Sequence, residues 1–313
     1  MGRRLVLAVA LGSLAACSSA AAIDTSGNDS GMPTDAGTDG IAADAAAGEA
    51  GGPVPDGAGA DVRGASDSVV DAPSDVGSTG PTCGSSIPAD AGGDPGRGAP
   101  AGYTLAWEDL FDTGSTPDPA AWGMYDSAGN GGNGLRRPSA FSIHDGVLDV
   151  VAQMESGMLV SGGMAATRSS IGGYFVFRVR SDPDPSNATD SVVLTWPDDD
   201  GWPQHGENDM YETGTGTSRD PFNSFVHYGS TPSTQYVFTE KADGTQWHVM
   251  AMEWTPTKIA FYLDGCLVGT PVTDPSAIPT YSHHVCIQLD AYKTMMGSPV
   301  HQYVDWVQVY ASP

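Results

Sequence analysis

Hydrophobic and polar residues alternate in short runs over the last two thirds of the chain, as they do in half-buried β-strands. The clearest runs are 173–180, 247–254, 258–263 and 303–310. Asp-Gly pairs at 145–146 and 264–265 are typical of tight turns between antiparallel strands. Stretches with the period of a helix are absent, and glycine and proline interrupt the chain often. The pattern predicts an all-β fold, an antiparallel β-sandwich of two sheets.

The amino-terminal residues follow a different pattern. Residues 1–16 have the layout of a secretory signal peptide. Arg3 and Arg4 lie near the start, the apolar run 5–11 follows, and small residues come last. The apolar run is too short to span a membrane as a stable helix. The sequence Leu-Ala-Ala-Cys that ends at Cys17 resembles the bacterial lipobox, in which the cysteine is lipidated after cleavage. We therefore expect an exported protein, lipid-anchored at the cell envelope or surface; the alternative is an ordinary signal peptide with an incidental cysteine.

Residues 17–100 consist almost entirely of Ala, Gly, Asp, Ser, Thr and Pro and include no aromatic residue. Such a segment cannot bury enough apolar surface to offset the entropy lost on ordering, so we predict a disordered linker. The chain has a net charge of −25, much of it in this segment, which argues against a nucleic-acid partner. Every tryptophan, tyrosine and phenylalanine lies in 101–313, the predicted folded domain.

The four cysteines fit an exported protein. If Cys17 carries lipid, three remain and at most one intramolecular disulfide can form. Cys266 and Cys286 both fall in the predicted domain and could pair, whereas Cys83 could instead bridge to either of them. Three free thiols are the remaining alternative. None of the three has the spacing or the histidine partners of a metal or nucleophile site.

Three carboxylates stand within six residues, at Glu207, Asp209 and Glu212. Glu207 and Asp209 share one face of a strand, and Glu212 joins them only if one residue, Met210 or Tyr211, bulges out. With that bulge, we expect the two glutamate carboxyl groups to lie roughly 5–6 Å apart, the spacing of a retaining glycosidase. Asp209 is expected to hydrogen-bond one partner and, through its charge, to keep another protonated.

The sequence around these carboxylates, residues 191–197 and 201–212, resembles glycoside hydrolase family 16, which includes laminarinases and lichenases. The bulged Glu-x-Asp-x-x-Glu form is typical of the laminarinase-like branch. Further matches occur in order at 107–112, 145–148, 171–178, 227–229, 253–256, 262–265 and 304–310. The resemblance covers nearly all of residues 103–311. It implies a concanavalin A-like jelly roll with a concave substrate cleft, and an endo-glycosidase.

The resemblance also implies a role for each carboxylate. Glu207 corresponds to the nucleophile, Glu212 to the general acid/base and Asp209 to the residue that assists the nucleophile and tunes the pair. The implied reaction is a double displacement that hydrolyses O-glycosyl bonds without a catalytic cofactor. The expected partner is a polysaccharide, with β-1,3- or mixed-linkage β-1,3/1,4-glucan as the default, cut by a monomer. Galactans, transglycosylation and a non-catalytic carbohydrate-binding jelly roll remain open alternatives.

Several further residues are candidates for substrate binding: Trp202, His227, Arg168, Gln288, Trp196 and, more weakly, Asn133 with Asn130. Aromatic faces can stack on sugar rings, and Trp202 is the better platform because Trp196 can equally belong to the core. His227 can instead be an ordinary surface histidine, and Arg168 can instead belong to a structural ion pair. The asparagines lie in a glycine-rich loop and can instead serve the turn.

A structural calcium ion on the convex face is a further implication of the resemblance. Its ligands would be the Asp305 carboxylate and the carbonyls of Leu110 and Gly146, all oxygen as calcium prefers. The alternative is that Asp305 simply ends a strand pair. The chain also departs from the family pattern at Asn208, where an apolar residue is usual, and at 287–291, which alters the floor of the cleft.

Overall fold

The computed structural model describes Cys83, residues 96–232 and residues 234–313. The predicted signal peptide 1–16, the lipidated Cys17 and most of the predicted linker 17–100 lie outside these residues. Among the described residues, no helix is long and apolar enough to cross a bilayer.

The described chain forms strands joined by turns, with two single-turn 3-10 segments at Asn130–Gly132 and Pro138–Ala140. The strands are β1 (Thr104–Asp109), β2 (Trp122–Met124), β3 (Ser127–Ala128), β4 (Leu135–Arg136), β5 (Phe141–His144), β6 (Val147–Glu155), β7 (Met158–Ser170), β8 (Gly173–Ser181), β9 (Thr189–Pro197), β10 (Glu207–Glu212), β11 (Phe222–His227), β12 (Gln235–Glu240), β13 (His248–Thr255), β14 (Lys258–Leu263), β15 (Cys266–Val272), β16 (His283–Ala291) and β17 (Val300–Ala311).

Two antiparallel sheets contain most of these strands. Sheet I has the order β2–β7–β16–β9–β10–β11–β12. Sheet II has the order β5–β6–β17–β8–β13–β14–β15, with β1 beside the second half of β17. The β6–β7 hairpin connects the two sheets, and β4 pairs with β7 in the parallel sense. The all-β antiparallel sandwich predicted from the alternation is confirmed.

The core lies between the sheets because every strand sends alternate residues inward. On β8, for example, Phe175, Phe177 and Val179 are almost fully buried in the main hydrophobic cluster. Burying a side chain of this size contributes roughly 1.5–3 kcal/mol. The Asp264-Gly265 pair has φ values of 49° and 76°, the positive values that a tight hairpin turn requires. The turn predicted there is confirmed.

The sequence predicts that the domain begins at residue 101, but the packed structure begins slightly earlier. The Gly98 N–H donates to Gln308 Oε1 at 2.9 Å, and Ala99 is buried. Cys83 forms a disulfide with Cys266 at the start of β15. The predicted alternative that pairs Cys266 with Cys286 is therefore wrong, as is the one with three free thiols. Sequence could not choose between the pairings because strand order decides which cysteines meet.

Candidate active site

Strand β10 carries the three carboxylates, and its pairing contains the predicted bulge. Against β9, Asp209 pairs with Leu194 and Glu212 with Val192, with a register shift between Asp209 and Tyr211. Leu194 and Val192 lie two residues apart and therefore face the same side of the sheet. The extra residue on β10 thus returns Glu212 to the face of Asp209, as the sequence predicted.

The start of β10 is fixed by a glycine. Gly206 precedes Glu207 directly and has a φ of 87°, a value that side chains rarely tolerate. A Cβ at this position would lie 2.6 Å from Pro279 Cγ, inside van der Waals contact. Only glycine lets the chain enter the strand here with Glu207 in its observed register.

Aromatic rings surround the Glu207 end of the strand. Glu207 pairs directly with His227 on β11. The rings of Trp196 and Trp202 stack with centroids 6.0 Å apart, and the Trp202 ring lies 6.4 Å from that of His227. Trp202 is partly exposed, whereas Trp196 is buried and donates its Nε1–H to Asp200. The indole left open to a ligand is therefore Trp202.

His227 and Asp209 are in close contact between β11 and β10. Nε2 of His227 lies 3.1 Å from Asp209 Oδ2, and Nδ1 lies 3.3 Å from the Pro232 carbonyl. Because a carbonyl only accepts, the contact with Pro232 places a hydrogen on Nδ1. The pair links the middle carboxylate of β10 to the neighbouring strand.

The environment of Glu207 disfavours its charged form. Burial raises the pKa of this carboxyl well above its ordinary value, and the charges of Asp209 and Glu212 raise it further. The Trp202 side chain opposes this rise. Glu207 therefore retains its proton at pH values where an isolated carboxyl loses it, a feature common at functional sites.

The Glu212 end of the strand is charged. Asp190 on β9 and Asp290 on β16 are direct partners across the sheet, and both are buried. Arg136 donates to Asp290 Oδ1 from Nε at 2.9 Å and from Nη2 at 2.7 Å. Arg219 is 1% exposed, and its Nη1 donates to Thr213 Oγ1, one residue beyond Glu212. Sequence alone did not identify these four charged residues.

Asn208, the unusual residue between the first two carboxylates, belongs to a hydrogen-bond chain below the site. Its Nδ2–H donates to Thr195 Oγ1 at 3.0 Å, and that hydroxyl lies 3.2 Å from His283 Nδ1. His283 Nε2 donates to the His205 carbonyl at 2.9 Å. Burial lowers the pKa of His283 to about 4, so the ring is neutral near pH 7. The departure from the family pattern therefore has a structural role.

The remaining predicted substrate-binding residues fall in different surroundings. Gln288 is buried on β16 and pairs with Val192, which places it in the row that contains Glu212. Arg168 is exposed on β7 and has no ion pair among the described residues, so the structural alternative for it is not supported. Asn133 donates its amide Nδ2–H to the Asn130 carbonyl at 3.1 Å, which is the turn role considered for this loop. Their contacts with a ligand stay predictions.

The predicted calcium ligands do not fit a cation as a set. The Asp305 carboxylate accepts a hydrogen bond from Arg178 Nη1, and both side chains are buried. A calcium ion at Asp305 would have to share that carboxylate with a fixed guanidinium charge. The structure thus gives Asp305 an ion-pair partner in place of the expected metal, and calcium binding stays an untested prediction.

One aromatic pair beside the site was missed from the sequence. The rings of His205 and Tyr281 stack with centroids 3.4 Å apart and an interplanar angle of 10°. Tyr281 is 44% exposed, and both residues line a groove of about 160 Å³ that reaches Gly206. The only available signal was an isolated tyrosine in a loop, which sequence patterns cannot separate from an ordinary surface residue.

Known proteins resemble this chain in sequence and in fold. A sequence model of the family described as "Glycosyl hydrolases family 16" matches residues 138–307, more than half of the chain. A beta-glucanase from Rhodothermus marinus is 28% identical over 207 residues, spanning 56% of this chain and 69% of that protein. The laminarinase structure from Rhodothermus marinus has a TM-score of 0.59 and 24% identity, covering 66% of this chain and 97% of that one. The endo-beta-1,3-glucanase from Pyrococcus furiosus has a TM-score of 0.56 and 19% identity, covering 67% and 94%.

Proposed function

Because the chain belongs to glycosyl hydrolase family 16 and is a glycosidase of O-glycosyl bonds, we propose that it is a retaining endo-β-glucanase for β-1,3- or mixed-linkage β-1,3/1,4-glucan. The single observation that carries the proposal is the bulged strand β10. Its register shift brings Glu207, Asp209 and Glu212 to one face of sheet I. Two glutamates on one face, on either side of an aspartate, supply a nucleophile and a separate acid/base.

The proposed reaction has two steps. In the first, Glu212 gives its proton to the leaving glycosidic oxygen while a Glu207 oxygen bonds to the anomeric carbon and the glycosidic C–O bond breaks. In the second, water loses a proton to Glu212 as its oxygen replaces Glu207 at that carbon. The configuration of the sugar is retained because two inversions occur. Asp209 holds the first glutamate in the arrangement that His227 anchors from β11.

Substrate recognition is assigned to the aromatic surroundings of the site. Trp202 is partly exposed, and its open ring offers a face to a sugar next to Glu207. Tyr281, backed by His205, extends this surface beyond the strand end. The beta-glucanase that the chain resembles over 207 residues supports a β-glucan as the polymer. Galactan cleavage and transglycosylation are alternative outcomes for the same residues.

The amino-terminal sequence supports a location outside the cell. Residues 1–16 have the form of a signal peptide, and Cys17 follows a lipobox-like sequence. We therefore place the glycosidase at the envelope surface, held by lipid on Cys17 and separated from it by the polar segment 17–100. A polymer too large to enter the cell would be cut there.

The decisive experiment measures reducing-sugar release from laminarin, lichenan and agarose by residues 83–313, which retain the disulfide between Cys83 and Cys266. We expect the unsubstituted protein to release reducing sugar from laminarin or lichenan. The Glu207→Gln variant should release none. Proton NMR of the first product formed should detect the β-anomer, because the configuration is retained. Equal polysaccharide binding by both proteins without any cleavage would replace the proposal with a non-catalytic carbohydrate-binding protein. Release from agarose alone would move the substrate to a galactan.

A further inference from the structure

Asp190 lies beside the acid/base glutamate. It stands two residues before Val192 on β9, and Val192 is the direct partner of Glu212. Side chains two positions apart on a strand share a face, so Asp190 and Glu212 face the same side of sheet I. Their carboxyl groups lie within hydrogen-bonding reach of each other, and Asp190 is 2% and Glu212 5% exposed. A hydrogen bond between two carboxyl groups requires a proton on one of them.

Neighbouring groups favour Asp190 as the charged partner. Thr213 Oγ1 accepts from the Ser191 N–H at 3.0 Å and from Arg219 Nη1 at 3.1 Å. Its own proton has two acceptors, Asp190 Oδ1 and the Gly214 carbonyl, each 3.2 Å away. Arg219 also reaches Thr189 Oγ1 at 2.7 Å, which fixes the guanidinium near Asp190. A hydroxyl donor and a nearby positive charge both stabilise a carboxylate.

Asp290 does not compete for the proton of Glu212, because it has its own partner. It lies opposite Asp190 on β16, and Arg136 donates to it from Nε and Nη2. Burial raises the pKa of Asp190 to about 6, whereas the charge of Arg219 and the hydrogen bond with Glu212 lower it. Burial likewise raises the pKa of Asp290, against the pull of Arg136.

The other titratable or charged groups that face this pair come from five places. They are Glu207 and Asp209 on β10, Asp290 on β16, Arg136 on β4, Arg219 in the loop after β10, and Tyr292 just beyond β16. The opposing residues on β7, Gly162 and Gly163, contribute no charge, and on β11 the partner of Glu212 is Asn223. Among these carboxylates, Asp190 is the one that combines contact with Glu212, a hydroxyl donor in Thr213 and the nearby charge of Arg219.

We propose that Asp190 is a positioning residue that accepts a hydrogen bond from protonated Glu212. This contact keeps Glu212 protonated in the resting enzyme. The inference rests on the proposed function, since it assigns Glu212 as the acid. During glycosyl transfer the proton leaves Glu212 for the leaving oxygen as the C–O bond breaks, and Asp190 stays anionic. Two facing carboxylates then draw a proton from the attacking water back to Glu212, which completes the cycle.

The test compares Asp190→Asn with Asp290→Asn, a matched removal of charge one strand away that leaves the contact with Glu212 intact. The asparagine amide donates to the Glu212 carboxylate and stabilises its charged form. We expect the alkaline limb of the pH profile of kcat/KM to move down by at least one pH unit in Asp190→Asn and by less than half a unit in Asp290→Asn. An unmoved limb in Asp190→Asn, or an equal shift in both variants, would overturn the proposal.

Two further measurements separate positioning from a merely structural role. A 2,4-dinitrophenyl glycoside needs no protonation of its leaving group, so Asp190→Asn should form the glycosyl-enzyme from it at the wild-type rate within about threefold. Carboxyl ¹³C NMR titration reports the proton of Glu212 without turnover, with Glu212→Gln identifying its resonance. That titration should move down by at least one pH unit in Asp190→Asn. If the wild type cuts no polysaccharide, the proposed function fails. The titration still shows whether Asp190 stabilises the proton on Glu212.

A folding failure is handled by a second variant. Circular dichroism of each protein establishes whether its β-structure is retained. If Asp190→Asn is unfolded, Asp190→Ser takes its place, because the smaller hydroxyl side chain leaves room for water beside Glu212. It removes the same negative charge, so the same downward shift is expected, and an unchanged titration in that variant contradicts the role assigned to Asp190.

Discussion

At the Glu207 end of β10 the neighbouring groups are aromatic rings, whereas at the Glu212 end they are buried aspartates and arginines. Trp202 lies beside the first glutamate, and Asp190 contacts the second. Below the first end, a chain of neutral hydrogen bonds runs from Asn208 to His283. The same strand therefore holds two chemically identical side chains in different surroundings, and these surroundings favour different chemical roles. In the proposed reaction, Glu207 bonds to the sugar and Glu212 transfers the proton.

Removing the nucleophile should have the largest effect. Glu207→Ala should lower kcat for β-glucan by at least about 10⁴-fold, since no other group can form the covalent intermediate. Added azide should restore turnover by taking the vacated place and yield a glycosyl azide of inverted configuration. Product analysis by NMR checks this. Azide rescue in Glu212→Ala with the same inverted product would exchange the roles of the two glutamates.

Removing the acid/base comes next. Glu212→Gln should lower polysaccharide hydrolysis by about 10²–10⁴-fold, the range expected for loss of proton transfer. Glycosylation by an activated aryl glycoside should fall far less, because that leaving group departs without a proton. Stopped-flow release of the phenol measures it. Equal losses on both substrates would mean that Glu212 does more than transfer protons, and the contrast between the ends of β10 would weaken.

Trp202 tests the aromatic side of the comparison. Trp202→Ala should raise KM for laminarin or lichenan by roughly two- to twelvefold, because a lost stacking contact is worth about 0.5–1.5 kcal/mol. Trp202→Phe keeps a ring and should recover most of the affinity. Initial rates over a range of polymer concentrations separate KM from kcat. A change in kcat alone would place Trp202 with Glu207 in the chemistry.

A separate effect, outside catalysis, should be on stability at acid pH. His283 has a pKa lowered to about 4, so the unfolded chain binds a proton below pH 6.5 that the folded chain refuses. Its stabilisation is complete above pH 6.5 and is lost as the pH falls toward 4, about 2 kcal/mol between pH 7 and pH 5. His283→Gln keeps a donor and an acceptor without titrating. Urea unfolding should therefore show a weaker pH dependence in that variant.

The sequence predicted the all-β sandwich and the bulge because both depend on local spacing. Alternation revealed the strands, and the five-residue step from Glu207 to Glu212 conflicted with a period of two unless one residue was extra. Both glutamates could be assigned roles because the surrounding motif resembles a known family. The comparison with that family then confirmed the class of enzyme.

The charged surroundings of Glu212 could not be predicted. Asp190, Asp290, Arg136 and Arg219 come from separate parts of the chain, and they meet only when β4, β9 and β16 take their places around the site. No local pattern marks such residues, since each alone reads as an ordinary charged position. Asn208 is similar, because its partner His283 lies on a strand far along the chain. Register between distant strands is the missing information.

The disulfide between Cys83 and Cys266 has a mechanical consequence. Tension applied along the chain from any residue before Cys83 is passed to Cys266 through the sulfur atoms. The load enters at β15, an outer strand of sheet II that pairs with β14. Neither of these two cysteines lies in sheet I, which holds the three carboxylates. Tension carried by this disulfide therefore reaches the outer strand β15 of sheet II before it reaches β10, the strand that holds the carboxylates.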